Sequence, residues 1–228
     1  MAVNSALRNA VTIPPAPALG QHVVDHLRRL IITGDLQAGT HLVESQLSES
    51  FNVSRGPVRD ALRQLETEGL VESRRRGVFV IGLRSEDIEE LYLLRQVLEA
   101  EAVRLCMEAG SDLTEARSAL DRMGAAAERA NPVGFAEADL DFHTAFYAHS
   151  GHRRLGSIWQ QYRPTFAGML SVTNAEDRDL APIHRDHVEL LDLIGAGDHA
   201  AVAPVLREHI DGSRTRMLTA YARFIATP

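Results

Sequence analysis

Apolar residues recur along this chain at two spacings, and the place where the spacing changes limits the fold. Between Ala18 and Leu65 they return every three or four residues, as on one face of a helix. Beyond Leu70, in VESRRRGVFVIG, short apolar stretches flank an arginine run and Gly77. This predicts a strand over Val71–Ser73, a turn through Arg74–Gly77 and a strand over Val78–Ile81. From Ser85 the helical spacing resumes, with no convincing strand. The pattern predicts a mainly α chain: an N-terminal winged helix-turn-helix followed by an all-helical bundle.

The first of these regions is expected over residues 18–82, after a flexible lead-in over 1–17 whose end, TIPPAP, is proline-rich. Helices are predicted over Ala18–Thr33 and Leu42–Phe51, the latter burying Leu42, Val43, Leu47 and Phe51. A third begins after Ser54 in SRGPVRDALRQLETEGLV. Val58, Ala61, Leu62 and Leu65 form its apolar stripe, and Gly69 suits a left-handed end. Arg55, Arg59 and Arg63 recur every four residues on another face. A solvated face, or pairing with Asp60, Glu66, Glu68 or Glu72, would account for them. The hairpin that follows, with Arg74, Arg75 and Arg76 at its tip, favours a different use. Guanidinium groups offer paired donors to phosphate and to guanine, so a recognition helix in the major groove and a basic wing on the backbone explain both clusters.

Charge agrees with that division. Residues 1–82 carry nine arginines against eight acidic residues, whereas the whole chain has a net charge of −7 and contains no lysine. An acidic body binds nucleic acid only through a concentrated basic patch. The single cysteine, Cys106, excludes a disulfide framework and a cysteine zinc cluster, and its helical setting predicts plain burial. No apolar run approaches the roughly 20 residues of a membrane span, and no basic-then-apolar secretion signal opens the chain, so a cytoplasmic location is expected.

The stretch GDLQAGTHLVESQLSESFNVSRGPVRDALRQLETEGLVESRRRGVFV closely resembles the DNA-binding domain of the GntR family of bacterial transcription regulators. The resemblance implies operator contacts by Arg55, Arg59 and Arg63, and approach of the wing-tip glycine, Gly77, to the minor groove. Where some members carry a further DNA-contacting arginine in the preceding helix, this chain reads VESQL, with Ser45 near that position.

Helices are predicted in the second region from Ser85 to about Met107 and over 112–131, 134–149, 152–171, 179–195 and 197–222, leaving a tail over 223–228. Within ADLDFHTAF, Asp139 and His143 stand one helical turn apart. His187 and His209 lie on separate later helices. Three imidazoles and a carboxylate suit a borderline divalent ion, although ten histidines make some clustering by chance expected. His184, three residues before His187, is the alternative ligand, while His149, His152 and His199 are expected at the surface, in packing or behind the ligands. Arg95 and Glu99, one turn apart, are explained by pairing with each other.

LLRQVLEAEAVRLC, DLDFHTAFYAHSGHRRL and DHVELLDLIGAGDHAAVAPVLREHI resemble the FCD ligand-binding domain of the FadR-like branch of the same family. Six helices resemble its shorter, VanR-like form. The resemblance covers about residues 84–220 and implies a metal site of Asp139, His143, His187 and His209, holding zinc first, then nickel or manganese. It implies that Arg95 holds an acidic effector. The expected protein is a homodimeric regulator of double-stranded operator DNA, a repressor released by a small carboxylate-bearing metabolite such as an organic or sugar acid. A purely structural metal is one alternative. A metal-dependent hydrolase is another, which the lack of a separate acid/base or substrate-orienting cluster disfavours, so no enzymatic activity is expected.

Overall fold

The computed structural model describes residues 17–177 and 179–226. The expected lead-in, apart from Pro17, and the last two residues lie outside them. The chain divides into two compact units, one containing residues 38–81 with the chain up to Arg28, the other residues 29–37 with 82 onward.

Helix α1 (Pro17–Ile32), which belongs to the first unit as far as Arg28, is followed in that unit by strand β1 (His41–Leu42), helices α2 (Glu44–Ser50) and α3 (Arg55–Thr67), and strands β2 (Val71–Arg74) and β3 (Gly77–Val80). The sheet has the order β1-β3-β2, with both pairings antiparallel. Val58, Ala61, Leu62 and Leu65 of α3 are buried, as their spacing requires. Gly69 turns the chain out of α3 at φ +75°, after which Leu70 and Val71 are buried at the root of the hairpin.

The second predicted helix begins later than expected. Leu42 belongs to β1 and pairs with Val78, and α2 itself buries no residue fully. A two-residue strand has no periodicity of its own to read; only its partner, distant in sequence, decides it. Gly77 has a local structural reason. Its φ is +130°, and a Cβ there would meet the His41 ring at 2.3 Å. That ring stacks on Phe79 with centroids 4.6 Å apart.

One buried ion pair ties α1 to the end of α3. Arg28 donates from Nε and Nη2 to the two carboxylate oxygens of Glu68, at 2.6 and 2.7 Å, and from Nη1 to Asp25 at 2.6 Å. Both side chains of the Arg28–Glu68 pair are almost fully buried.

The second unit contains six helices among the described residues: α4 (Ser85–Ala109), α5 (Thr114–Glu128), α6 (Pro132–His149), α7 (Arg153–Glu176), α8 (Ala181–Ala196) and α9 (His199–Ala226). Gly110 and Gly197 terminate α4 and α8 in the left-handed conformation. Pro132 sits in the first turn of α6, where Asn131 accepts a hydrogen bond from the Gly134 amide at 3.0 Å. Helix α7 continues through Pro164 and beyond its expected end. Likewise α9 runs past 222, so the expected tail begins inside a helix. Helix α6 packs between α5 and α7 and against α4, and α9 lies against α4, α7 and α8. Facing positions of α4, α6, α8 and α9 therefore share one interior. Cys106 is buried there, donating to the Phe146 carbonyl at 3.1 Å.

Removing one member of a buried ion pair costs about 3–5 kcal/mol; without Glu68, Nε and Nη2 of the buried Arg28 lose their acceptors and only Nη1 keeps one, in the half-exposed Asp25. Glu68→Ala is therefore expected to lower the melting midpoint of the first unit by on the order of 10 °C or more. Calorimetry of the full chain, with the transition of the second unit as internal reference, checks this.

Candidate metal centre and nucleic-acid interface

Asp139 and His143 face inward from consecutive turns of α6, His187 from α8 and His209 from α9. All three histidines and Asp139 are buried. The Nε2 atoms of His187 and His209 each lie 3.3 Å from Nε2 of His143. The Asp139 carboxylate adds Oδ1 at 3.5 Å from His143 Nε2 and Oδ2 at 3.5 Å from His187 Nε2. Donors bound to one ion at about 2.0–2.2 Å stand about 3–3.5 Å from one another, so these separations are those of groups sharing a centre.

The hydrogen bonds behind the rings sharpen the point. His143 Nδ1 contacts Oε1 of Glu99 on α4, and His187 Nδ1 meets the Ile183 carbonyl at 2.7 Å. Carboxylate and carbonyl oxygens only accept, so both rings place an N–H at Nδ1 and turn Nε2 toward the cluster. Burial pushes the His187 imidazole down to about 4, with His143 adding to the fall and Asp139 opposing it. Burial likewise holds His209 well below the ordinary histidine range. Imidazole nitrogens and a carboxylate brought this close and away from water suit a cation shared among them. Asp139 Oδ1 moreover has no hydrogen-bond partner, although it is buried. The three imidazoles could hold a divalent metal, the Asp139 oxygens stand close enough to add a fourth donor, and Glu99 and the Ile183 carbonyl orient two of the rings.

Glu99 also accepts from Arg95 Nε at 3.0 Å. Burial opposes its ionisation, but His143 and Arg95 outweigh that and hold the carboxyl down at about 2. Arg95 is 2% exposed, with its guanidinium 5.3 Å from the Phe166 ring centre and 5.8 Å from that of Trp159. The expected Arg95–Glu99 pair is thus formed, yet Arg95 Nη2 has no hydrogen-bond partner. A desolvated guanidinium N–H without a partner costs about 1–3 kcal/mol or more and is a ready donor for an anion.

His184 lies outside the cluster, half-buried with its ring against Gly124 of α5. His149 pairs with Glu115 at 3.2 Å. His152 accepts from the Leu155 amide at the start of α7, and His199 is exposed. Arg163 bonds Asp141 at 2.8 Å. Glu99 as the partner of His143 escaped the sequence reading. Its i,i+4 spacing from Arg95 was visible, but His143 is 44 residues away and meets it only through the packing of α4 on α6.

In the first unit Arg55, Arg59 and Arg63 are exposed along α3, and Arg74, Arg75 and Arg76 at the wing tip. The acidic neighbours are largely engaged elsewhere: Glu68 with Arg28, and Glu66 with the Ser73 amide at 2.8 Å. Arg63 and Asp60 approach only to 3.9 Å and are both 78% exposed, too loose a pair to hold either. Arg74 is drawn to Glu72, at 2.6 Å from its Nε, and lies over the Phe79 ring at 4.9 Å. No carboxylate pairs with Arg55, Arg59, Arg75 or Arg76 among the described residues. Ser45, on α2, is half-exposed or more.

Residues 19–81 match the model of bacterial regulatory proteins of the gntR family. Residues 90–212 match that of the FCD domain. The chain belongs to the gntR family and carries an FCD domain. Membership makes it a DNA-binding transcription regulator rather than an enzyme. Among its relatives, the HTH-type transcriptional regulator BphR of Paraburkholderia xenovorans is 30% identical over 89% of this chain and 86% of its own. The gluconate operon transcriptional repressor of Bacillus subtilis is 26% identical over 84% of this chain and 82% of its own. The gluconate operon transcriptional repressor of Bacillus licheniformis is 31% identical over 66% of this chain and 63% of its own. Among solved structures, a transcriptional regulator GntR from Rhodococcus sp. RHA1 superposes with TM-score 0.66 at 28% identity, covering 89% of this chain and 98% of that one. E. coli McbR/YncC has the same fold, with TM-score 0.71 at 22% identity over 89% and 98%.

Replacing His187 with alanine removes one of the three imidazoles. The purified variant is expected to hold less than one-tenth of the divalent metal bound by the unaltered protein, measured by elemental analysis after dialysis. His184→Ala, which leaves the cluster intact, is expected to retain full metal content.

Proposed function

We propose that this protein is a ligand-responsive repressor that binds operator DNA as a homodimer and is released by a small organic or sugar acid. The observation that carries the reading is the unpartnered Nη2 of buried Arg95 near a cluster of buried imidazoles. An acid carboxylate can donate electron density to a bound ion on one side and accept from the guanidinium on the other. Zinc suits three nitrogens and one oxygen, with nickel and manganese as the other candidates. When bound, the ion supplies a Lewis-acidic anchor for the carboxylate. Asp139, His143, His187 and His209 hold it, while Arg95 orients the acid. The gluconate repressors among the relatives support a sugar-acid effector, and six helices after the wing support the VanR-like form of the FadR-like branch. A cytoplasmic location follows from operator binding, and no described helix is long and apolar enough to cross a membrane.

Arg55 and Arg59, free of carboxylate partners, carry base-edge or phosphate contacts at the start of the recognition helix. Arg63 contacts phosphate, and Arg75 and Arg76 reach the backbone from the wing. Arg74 must leave Glu72 to join them, and Gly77 lets the wing approach the minor groove. A single winged helix makes few contacts, so two copies reading two half-sites supply the affinity. Helix α4 offers a surface for the second copy: Leu93 and Val97, one turn apart, are 59% and 62% exposed.

One observation favours a second reading, in which the ion only braces the bundle. The four ligand residues are at most 9% exposed. In that case acid-induced stabilisation survives removal of the metal; in the reading proposed here it does not.

Arg59→Ala is expected to weaken binding to DNA selected by the purified protein at least tenfold at fixed salt, with the fold intact by circular dichroism. Unchanged binding removes Arg59 from the interface. Val97→Glu is expected to convert the dimer to monomer by light scattering at micromolar concentration, and an unchanged mass removes α4 from the dimer contact.

A further inference from the structure

Tyr147 is another buried polar group near Arg95 that lacks a hydrogen-bond partner among the described residues. It follows Asp139 and His143 on the same face of α6, one further turn along, and is 2% exposed. Its ring lies flat on Trp159, with centroids 4.8 Å apart and planes inclined by 2°. The same indole has the Arg95 guanidinium 5.8 Å from its centre. Trp159 itself is satisfied, donating to Thr144 Oγ1 at 2.8 Å. The Tyr147 hydroxyl is not: among the described residues no hydrogen-bond partner meets it. It lies near enough to Glu99 and Arg95 to feel both charges; burial pushes the phenol up, Glu99 adds to the rise and Arg95 opposes it. By contrast, Tyr92, also buried beside Arg95, has its hydroxyl 3.2 Å from that of Ser213.

A buried phenol that only filled space would be better as phenylalanine, since a hydroxyl without a partner destabilises the fold that contains it. The isosteric apolar side chain was available at no cost in shape. The hydroxyl is therefore better explained by a group that is bound only part of the time. A phenol donates one hydrogen bond and accepts another, and an alcohol does the same, so the two match. A carboxylate alone is already served by Arg95 Nη2 and the imidazole-bound ion.

We propose that the Tyr147 hydroxyl is a ligand contact, which bonds an alcohol group of the acid held at Arg95 and so selects hydroxy acids over their deoxy counterparts. This rests on the reading above, that a small acid binds beside the imidazole cluster. Discrimination follows because an acid without the alcohol leaves the buried phenol as unsatisfied as before binding, and forfeits a bond that the hydroxy acid makes.

Metal-loaded full-length protein and its Tyr147→Phe variant are titrated calorimetrically with three pairs of acids: lactate and propionate, malate and succinate, gluconate and hexanoate. The unaltered protein is expected to bind at least one hydroxy acid tenfold or more tightly than its deoxy partner. Tyr147→Phe is expected to lose that preference while binding the deoxy acid as before, to retain its metal, and to melt no lower than the unaltered protein in the absence of acid. A preference that survives in the variant overturns the proposal, as does equal binding of both members of every pair by the unaltered protein. A variant that melts several degrees lower without acid assigns Tyr147 a structural role and overturns it too. If no acid of either kind binds the unaltered protein, the acid-binding reading fails and this proposal with it.

Discussion

Three imidazoles and a carboxylate are held within reach of one another inside a helical bundle, and much of the second unit is arranged around that fact. With Nδ1 committed to Glu99 and to the Ile183 carbonyl, His143 and His187 turn their Nε2 atoms toward each other at 3.3 Å, and the Asp139 carboxylate stands 3.5 Å from both. The cluster is of the kind that could hold a divalent cation. The protein supplies the rigidity for this through α4, α6, α8 and α9, whose burial leaves the rings no water to turn to. It supplies the orientation through Glu99, which serves two partners at once.

That double service links the metal centre to the proposed effector contact. One oxygen of Glu99 holds Nδ1 of His143 and the other takes Nε of Arg95, whose guanidinium lies over the Trp159 and Phe166 rings with Nη2 left without a hydrogen-bond partner among the described residues. In the proposed reading an anion arriving there would meet a guanidinium whose other partner also holds a ring of the cluster, so that ligand and metal would not be independent occupants of one domain. Such a ligand would act on DNA binding only by as much as its affinities for two arrangements of the protein differ.

The DNA-reading unit depends on a comparable division of charge. Arg28 takes Glu68 out of circulation in a buried bidentate pair, and the Ser73 amide takes Glu66. Both carboxylates lie near the recognition helix and would otherwise compete with phosphate for its arginines. The exposed cations of α3 are thereby left free, whereas Arg74 at the wing retains an internal partner.

The sequence by itself determined the element types and most of what faces inward. Helical spacing marked Val58, Ala61, Leu62 and Leu65 as the buried stripe of α3, and the shift in pattern after Leu70 marked the wing, because these are local periodicities that the backbone geometry imposes. It also named the four metal-binding candidates, although their spacing alone was weak evidence among ten histidines and the family likeness was what strengthened the set. Tertiary structure decided what no local pattern records. It turned Leu42 into a strand by pairing it with Val78, set His184 against Gly124 instead of with the other rings, and brought Glu99 to His143 from 44 residues away. It alone distinguished Tyr92, paired with Ser213, from Tyr147, paired with nothing. The physical reason is common to all of these: a side chain's polar partner is chosen by the packing of whole helices, and neither its own identity nor its neighbours in sequence specify which distant group will be there.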